Sequence, residues 1–168
     1  MTIRRRKFIV SLLLHVPFLL ILYVLQATVF TSLPLFGVKP LILPVAVVGV
    51  ALFEGSTKGG VFGLFAGMLC DLSFNQPTVQ FTLMLTVLGI LAGLVCDTVL
   101  ARGFPSYLAI TAVSLIVLSF LQMFGLLFFR EAELLPLLDT GIRQTLYSLF
   151  FTIPIYYCVR AISRRTRL

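Results

Sequence analysis

Long apolar runs, separated by short polar stretches, dominate this chain. Residues 8–30 contain no Asp, Glu, Lys or Arg, and at about 1.5 Å per residue a helix of that length crosses a hydrocarbon layer of about 30 Å. Residues 107–129 form a second uninterrupted run. Both runs predict transmembrane helices.

Shorter apolar runs occupy the rest of the chain. The runs near 38–53 and 57–74 span a membrane only if Lys39 and Lys58 extend their charged ends towards its surface. A re-entrant hairpin around residues 54–60 is the alternative. Runs near 79–96 and 142–159 complete the pattern. It predicts an all-α integral membrane protein, a compact bundle of about six transmembrane helices in one domain over 1–168, with no soluble domain.

Composition supports the same class. Hydrophobic residues make up 60% of the 168 residues and charged residues only 11%, against about 25% charged in ordinary soluble domains. Three prolines inside apolar runs predict kinks, because proline cannot donate to the preceding turn. They are Pro17, Pro44 and Pro154.

The basic residues predict the orientation of the helices. They cluster at residues 4–7 and 160–167. With the N-terminus inside, six spans leave only Lys39, Arg130 and Arg143 of the 13 basic residues outside. Both termini are therefore expected in the cytoplasm. Although the net charge is +7, the clusters flank apolar runs, so anionic membrane lipids are the expected partner and nucleic acid is not.

A row of glycines is the most informative motif. Gly55, Gly59, Gly63 and Gly67 recur every four residues and lead to Asp71. On a helix such a row forms a smooth groove, suited either to helix packing or to binding a partner's helix or a ligand. Residues 87–97 match residues 61–71 at six of eleven positions. This second copy predicts an inverted repeat of two antiparallel helices, unless the match is fortuitous. Its glycines and acid are Gly89, Gly93 and Asp97.

Acidic residues in apolar runs are candidate functional groups. Asp71 and Asp97 raise the possibility of an intramembrane aspartyl hydrolase, in which two carboxylates share a proton. The six-span topology places them at opposite membrane surfaces, about 30 Å apart. That separation argues against the hydrolase.

Other polar residues give little indication of chemistry. His15, Gln26 and Gln122 are polar positions within spans, explained either by hydrogen bonds between helices or, for His15, by a proton relay. The three cysteines lie in apolar runs, and with a single histidine they predict neither a metal site nor a cofactor. Recognisable catalytic motifs are absent from the sequence, so we expect a protein that is not an enzyme.

Residues 25–72 resemble a known family. The segments concerned are Leu25-Gln-Ala-Thr28, Leu35-Phe-Gly-Val-Lys-Pro40, Phe53-Glu-Gly-Ser-Thr-Lys-Gly-Gly60 and Gly63-Leu-Phe-Ala-Gly-Met-Leu-Cys-Asp-Leu72. Together they resemble the bacterial rod shape-determining protein MreD family, and the second half is similar mainly in hydropathy. Residues 75–80 depart from the family, which usually has a glycine there. The resemblance implies a non-enzymatic scaffold of the cell-elongation (rod) complex, working beside MreC, MreB, RodA and a class B penicillin-binding protein in peptidoglycan synthesis.

Two expectations about binding follow. We expect the single helix of an MreC-like partner to dock on the face formed by Gly59, Gly63 and Gly67, or on the matching face with Gly89 and Gly93. The alternative function is that of a substrate-capture subunit of an energy-coupling-factor vitamin transporter, which has similar size and span number. It requires a polar pocket near the outer surface, for which Gln26, Asn75, Gln76 and Gln122 are the candidates.

Overall fold

The described part of the protein consists of α-helices. The computed structural model describes residues 15–28, 40–74, 79–98, 103–130 and 134–167. These residues form seven helices and no strand. The helices are α1 (His15–Thr28), α2 (Ile42–Glu54), α3 (Ser56–Phe74), α4 (Gln80–Thr98), α5 (Phe104–Arg130), α6 (Leu134–Phe150) and α7 (Thr152–Arg167).

Two helices are long and apolar enough to cross a membrane. They are α4 and the first part of α5, Phe104–Gln122. The pair α6 and α7 counts as a third if its two bent halves form one span. The described part of α1 and all of α2 are apolar but shorter. By length and apolarity, the described residues thus provide two to three of the six predicted spans.

Helix α2 lies at the centre of the bundle. Every residue from Ile42 to Leu52 is buried, and α2 packs against α3, α4, α5 and α7. Its sequence is apolar on all sides, and such a helix has no face suited to water. The run near 38–53, predicted as a short span, forms a 13-residue helix buried within the bundle, which is shorter than a full membrane span.

The turn between α2 and α3 consists of one residue. Gly55 has φ = 92°, a left-handed conformation that glycine adopts without steric cost. Its N–H donates to the carbonyl of Ala51 at 3.0 Å. The chain therefore reverses immediately after Glu54, and the segment 54–60 that separates the two predicted spans is mostly helical.

The predicted sixth span, 142–159, is broken. Helices α6 and α7 meet at Phe151 with a bend of 45°. Pro154 has no N–H for the carbonyl of Phe150, which interrupts the helix at this point. The Phe151 N–H donates to the backbone carbonyl of Ser148 at 3.1 Å, in a tighter turn. Pro44, by contrast, is the third residue of α2 and introduces no break.

Aromatic side chains hold α7 against α2 and α5. The ring of Tyr156 lies 5.5 Å from Phe53, 5.2 Å from Phe104 and 5.3 Å from Tyr107, measured between centroids. The Tyr107 hydroxyl donates to the carbonyl of Val45 at 2.9 Å. This cluster fixes one side of the buried helix.

Candidate functional site

The glycine rows of α3 and α4 lie against each other. We call this contact, formed by Gly59, Gly63 and Gly67 of α3 and Gly89 and Gly93 of α4, the glycine seam. A Cβ atom at Gly59 would lie 2.7 Å from the carbonyl oxygen of Gly89. One at Gly67 would lie 2.8 Å from the carbonyl oxygen of Phe81. The two backbones therefore touch along the seam, at a separation that only glycine permits.

Contacts across the seam follow the internal repeat. Gly59 lies against Gly89. The repeat relates Gly59 to Leu85 and Gly89 to Gly63, and Gly63 and Leu85 are also in contact. The helices are antiparallel, since rising numbers on α3 meet falling numbers on α4. Antiparallel packing gives such reciprocal pairing, because the sum of the two residue numbers stays nearly constant along the contact.

A second reciprocal pair obeys the same relation. Gly67 lies against Thr82. The repeat relates Gly67 to Gly93 and Thr82 to Ser56, and Gly93 and Ser56 are also in contact. The two similar segments, residues 61–71 and 87–97, therefore pack face to face as antiparallel helices.

Asp71 caps the N-terminus of α4. Its Oδ1 accepts from the Phe81 N–H at 3.0 Å, and its Oδ2 accepts from the Thr82 N–H at 3.0 Å and from the Thr82 hydroxyl at 2.6 Å. The first N–H groups of a helix have no partner within the helix and carry partial positive charge. A carboxylate from the end of α3 satisfies two of them.

Asp97 occupies the related position at the N-terminus of α3. A Cβ atom on Gly55 would lie 3.5 Å from Asp97 Oδ2, and the repeat relates Gly55 to Phe81, a partner of Asp71. Asp97 is exposed, whereas Asp71 is half-buried. Beside Asp97's end of the seam, Lys58 forms an ion pair with Glu54 one turn earlier.

The two aspartates do not form a catalytic pair. Asp71 contacts Thr82, and Asp97 follows Thr82 by fifteen residues on the same helix, a rise of about 22 Å. A shared proton requires direct contact. The geometry agrees with the large separation expected from the sequence.

The glycine seam is closed to a partner helix. Each of its two faces is covered by the other, so neither the Gly59, Gly63 and Gly67 face nor the Gly89 and Gly93 face offers a groove to the outside. Of the two uses expected for these rows, the structure places them in helix packing. The docking hypothesis for these faces is therefore replaced by an internal contact.

Gln26 caps the buried N-terminus of α2. Its Oε1 accepts from the N–H groups of Ile42 at 3.2 Å and Leu43 at 3.1 Å. The Leu41 N–H donates to Ser148 Oγ at 2.9 Å. Pro44 follows and carries no N–H, so the initial N–H groups of a helix buried in apolar surroundings are all accounted for.

In the sequence, Gln26 stands out only as a polar residue within a predicted span, and Ser148 does not stand out at all. Ser148 also donates to the carbonyl of Gln144 at 2.7 Å on its own helix. The available signal was an apolar helix that begins without a capping residue, since Leu41 has no side-chain acceptor. Such a helix, if buried, requires acceptors from elsewhere in the chain.

The remaining polar residues do not converge on one site. His15 is fully buried in α1 and packs on the ring of Phe62, at 5.3 Å between centroids. Gln122 lies half-buried on α5. Among the described residues, no group of three or more His, Cys, Asp or Glu side chains could hold a metal ion. Asn75 and Gln76, two candidates for a polar pocket, lie outside the described residues.

The chain was compared with known proteins in three ways. No protein-family model, no curated protein and no solved structure matches it.

Proposed function

We propose that this protein is a non-enzymatic membrane adaptor of the bacterial cell-elongation complex. In this role it helps to organise peptidoglycan synthesis and rod cell shape by contacts between its helices and those of an MreC-like partner. MreB, RodA and a class B penicillin-binding protein are the further components with which it would assemble. The proposal rests on the resemblance of residues 25–72 to the MreD family.

One observation carries the non-enzymatic part of this proposal. The motif residues behind the resemblance, Gly59, Gly63, Gly67 and Asp71, are all used to join α3 to α4. They make backbone contacts and a helix cap, so their arrangement is accounted for by architecture rather than by substrate chemistry. A motif of this kind suits a scaffold, whose function depends on its shape.

We further propose that the chain crosses the inner membrane six times with both termini in the cytoplasm. The polar caps of the described bundle support this topology. Asp71 lies between the end of α3 and the start of α4, and Gln26 and Ser148 lie at the start of α2. Asp97 and the Glu54–Lys58 ion pair lie at the opposite ends of these helices. Polar groups at two opposite ends and an apolar middle match a bilayer.

The partner helix binds an outward-facing surface, because the seam is filled. Exposed phenylalanines mark three separate candidate faces: Phe65 on α3, Phe120 on α5 and Phe150 on α6. Packing between membrane helices depends on close van der Waals contact. Removing a phenyl ring from the docking face therefore weakens the complex without disturbing the buried core.

Affinity purification in mild detergent from the native host tests the function. We expect an MreC-like protein to co-elute with cell-wall synthases, as identified by mass spectrometry. Co-elution of two ATPases and a coupling subunit would instead identify a transporter subunit. An unrelated tagged membrane protein from the same host is the control for non-specific recovery.

Three variants then locate the docking face. Phe65→Ala, Phe120→Ala and Phe150→Ala are purified in parallel, and we expect one of them to recover several-fold less of the MreC-like protein. Each variant must elute from gel filtration as the wild type does, which excludes misfolding. Equal recovery in all three would show that the partner uses none of these faces.

A further inference from the structure

Two arginines near the end of α7 have no anionic partner within the described part of the chain. Arg160 is half-buried and Arg164 is exposed, and neither guanidinium forms an ion pair or a hydrogen bond with a described residue. Attraction to the free carbonyls of a helix is confined to its last turn. Arg160 precedes the end of α7 at Arg167 by seven residues, so these carbonyls do not compensate its charge.

An aromatic ring holds Arg160 in place. Its guanidinium carbon lies 5.8 Å from the centroid of Tyr156, a distance at which a cation is attracted to the face of a ring. Tyr156 is buried and packs against the rings of Phe53, Phe104 and Tyr107. A guanidinium fixed in this way loses little conformational freedom when it binds an anion. Arg160 is therefore a preorganised cation.

Arg164 lies one turn beyond Arg160 on the same side of α7. Residues four apart on a helix have Cβ atoms about 5–6 Å apart, and like charges at this spacing repel each other. An anion bound by both side chains removes this repulsion. The planar guanidinium group forms paired hydrogen bonds with phosphate oxygens, and one phosphate group has enough oxygens to accept from both arginines.

The two arginines lie near one end of the bundle. Helix α2 runs in the same direction as α6 and α7, since its start bonds to Ser148 and a Cβ atom on Gly49 would contact Val159. Helix α2 ends at Glu54, five residues after Gly49, and Arg164 follows Val159 by the same number. Arg164 is therefore about level with the end of α2, where the ion pair between α2 and α3 lies.

Exposed apolar side chains precede the arginines on the same side of α7. Ile153 and Tyr157 are exposed and lie seven residues before Arg160 and Arg164, respectively, which is nearly two full turns. Tyrosine is common where the hydrocarbon of a membrane meets its polar surface. This side of α7 is thus apolar and then cationic, in the order in which a phospholipid presents its chains and its phosphate.

We propose that Arg160 and Arg164 bind the phosphate group of an anionic phospholipid in the cytoplasmic leaflet. Arg160 supplies the fixed cation and Arg164 the exposed one. The site favours a lipid with net negative charge, because a zwitterionic headgroup brings its own cation close to two arginines. The inference rests on the membrane location and the cytoplasmic C-terminus of the proposed function, and not on the elongation complex.

Lipid retention tests this site. The wild-type protein is reconstituted into vesicles with equal amounts of dioleoyl-phosphatidylglycerol and dioleoyl-phosphatidylcholine, extracted in mild detergent, washed and weighed by native mass spectrometry. We expect several-fold more retained phosphatidylglycerol than phosphatidylcholine. Arg160→Gln and Arg164→Gln should each reduce this preference, and the double variant should abolish it.

Arg143→Gln is the matched control. It removes the same charge from an exposed arginine that is already ion-paired with Asp139 on α6, so it should keep the wild-type preference. Because Arg164 is exposed, Arg164→Gln tests the site even if Arg160→Gln does not fold, as judged by gel filtration. An unchanged preference in Arg164→Gln, or an equal loss in Arg143→Gln, would overturn the proposal.

A competition experiment distinguishes a phospholipid from soluble phosphate. The detergent wash is repeated with excess sn-glycerol 3-phosphate, and in parallel with sodium chloride at the same ionic strength. We expect equal retention of phosphatidylglycerol in both washes, because the acyl chains also hold the lipid on the protein. Specific displacement by glycerol phosphate would identify a site for soluble phosphate and overturn the lipid site.

Affinity purification of the Arg164→Gln variant separates this site from partner binding. We expect the variant to recover the MreC-like protein as the wild type does. Loss of that protein with an unchanged lipid preference would show that the arginines bind an acidic partner protein, which overturns the lipid site. A lost lipid preference in this variant would stand even if the wild type recovered no MreC-like protein, so the two proposals fail separately.

Discussion

Helix α4 has two opposite faces that pack in different ways. Towards α3 it presents Gly89 and Gly93, and the two backbones are in contact. Towards α5 it presents Leu83, Val87 and Leu91, and a groove of about 610 Å³ separates the helices. Both faces are uncharged, so apolarity alone does not decide how closely two neighbouring helices approach.

The difference lies in the spacing of small residues. Where a membrane provides the solvent, lipid tails are as apolar as leucine, and association depends on contact between surfaces. Helices α3 and α4 both carry glycines four residues apart, and these rows face each other. Among the residues of α5 that line the groove, the small ones are Ala109 and Ser114, five residues apart. Complementary rows close the first contact, and their absence leaves the second one open.

The largest expected effect comes from adding one methyl group to the seam. In Gly63→Ala the new Cβ overlaps the backbone of α4 at Leu85, and a backbone cannot move aside as a flexible side chain can. We expect the free energy of unfolding to fall by about 3 kcal/mol, together with a lower yield of monodisperse protein. Unfolding by denaturing detergent, followed by circular dichroism, measures the loss.

Gly141→Ala is the control for this substitution. A Cβ atom at Gly141 would lie 3.7 Å from that of Ser119, an ordinary contact, and alanine has the higher helix propensity. We expect this variant to be as stable as the wild type or slightly more so. If Gly63→Ala were as stable as the wild type, the backbones of α3 and α4 could not be in direct contact at Gly63.

The next largest effect is expected from shortening a buried leucine on α4, in comparison with an exposed leucine on the same helix. Leu85 is fully buried on the α3 side, whereas Leu91 is exposed and lines the groove. Leu85→Ala leaves a cavity that the seam cannot collapse to fill, so we expect a loss of about 2–3 kcal/mol. Leu91→Ala should cost less than about 0.5 kcal/mol. Equal losses in the same unfolding measurement would contradict the contrast between the faces.

Helix positions were largely predictable from the sequence, and their environments were not. The predicted runs near 57–74 and 79–96 coincide closely with Ser56–Phe74 and Gln80–Thr98, because charged and turn-forming residues delimit them. The run near 38–53 forms α2, which is buried on all sides, and the sequence did not predict that burial. The burial of α2 depends on the helices around it, and the sequence of α2 alone does not show which helices these are.

The candidate site was predictable only in its composition. The repeat singled out Gly59, Gly63, Gly67, Gly89, Gly93 and the two aspartates, and it predicted antiparallel packing as one use. The spacing of glycines along one helix does not determine which other helix packs against them. The sequence therefore could not show that the two rows contact each other. Ser148 was missed because its partner, the Leu41 N–H, is 107 residues away.

A smaller effect is expected at the cap of α2. Gln26→Met keeps the length of the side chain but removes the acceptor of the Ile42 and Leu43 N–H groups. Two buried donors without acceptors should cost about 2 kcal/mol. Gln122→Met is the control, because the buried Nε2 of Gln122 makes no hydrogen bond to a described residue. We expect that change to be close to neutral, and a larger loss at Gln122 than at Gln26 would contradict the assignment of the cap.

The smallest expected effect tests whether the two ends of the seam are equivalent. Asp71→Ala removes the acceptor of two N–H groups and one hydroxyl at the start of α4, and a lost helix cap costs about 1 kcal/mol. Asp97 holds the related place beside Gly55 but is exposed, so water can replace its carboxylate and Asp97→Ala should cost less. Thermal unfolding of both variants in the same detergent gives the order. If Asp97→Ala lowered the unfolding temperature more than Asp71→Ala did, the exposure of the two carboxylates would not determine how much each cap stabilises the protein.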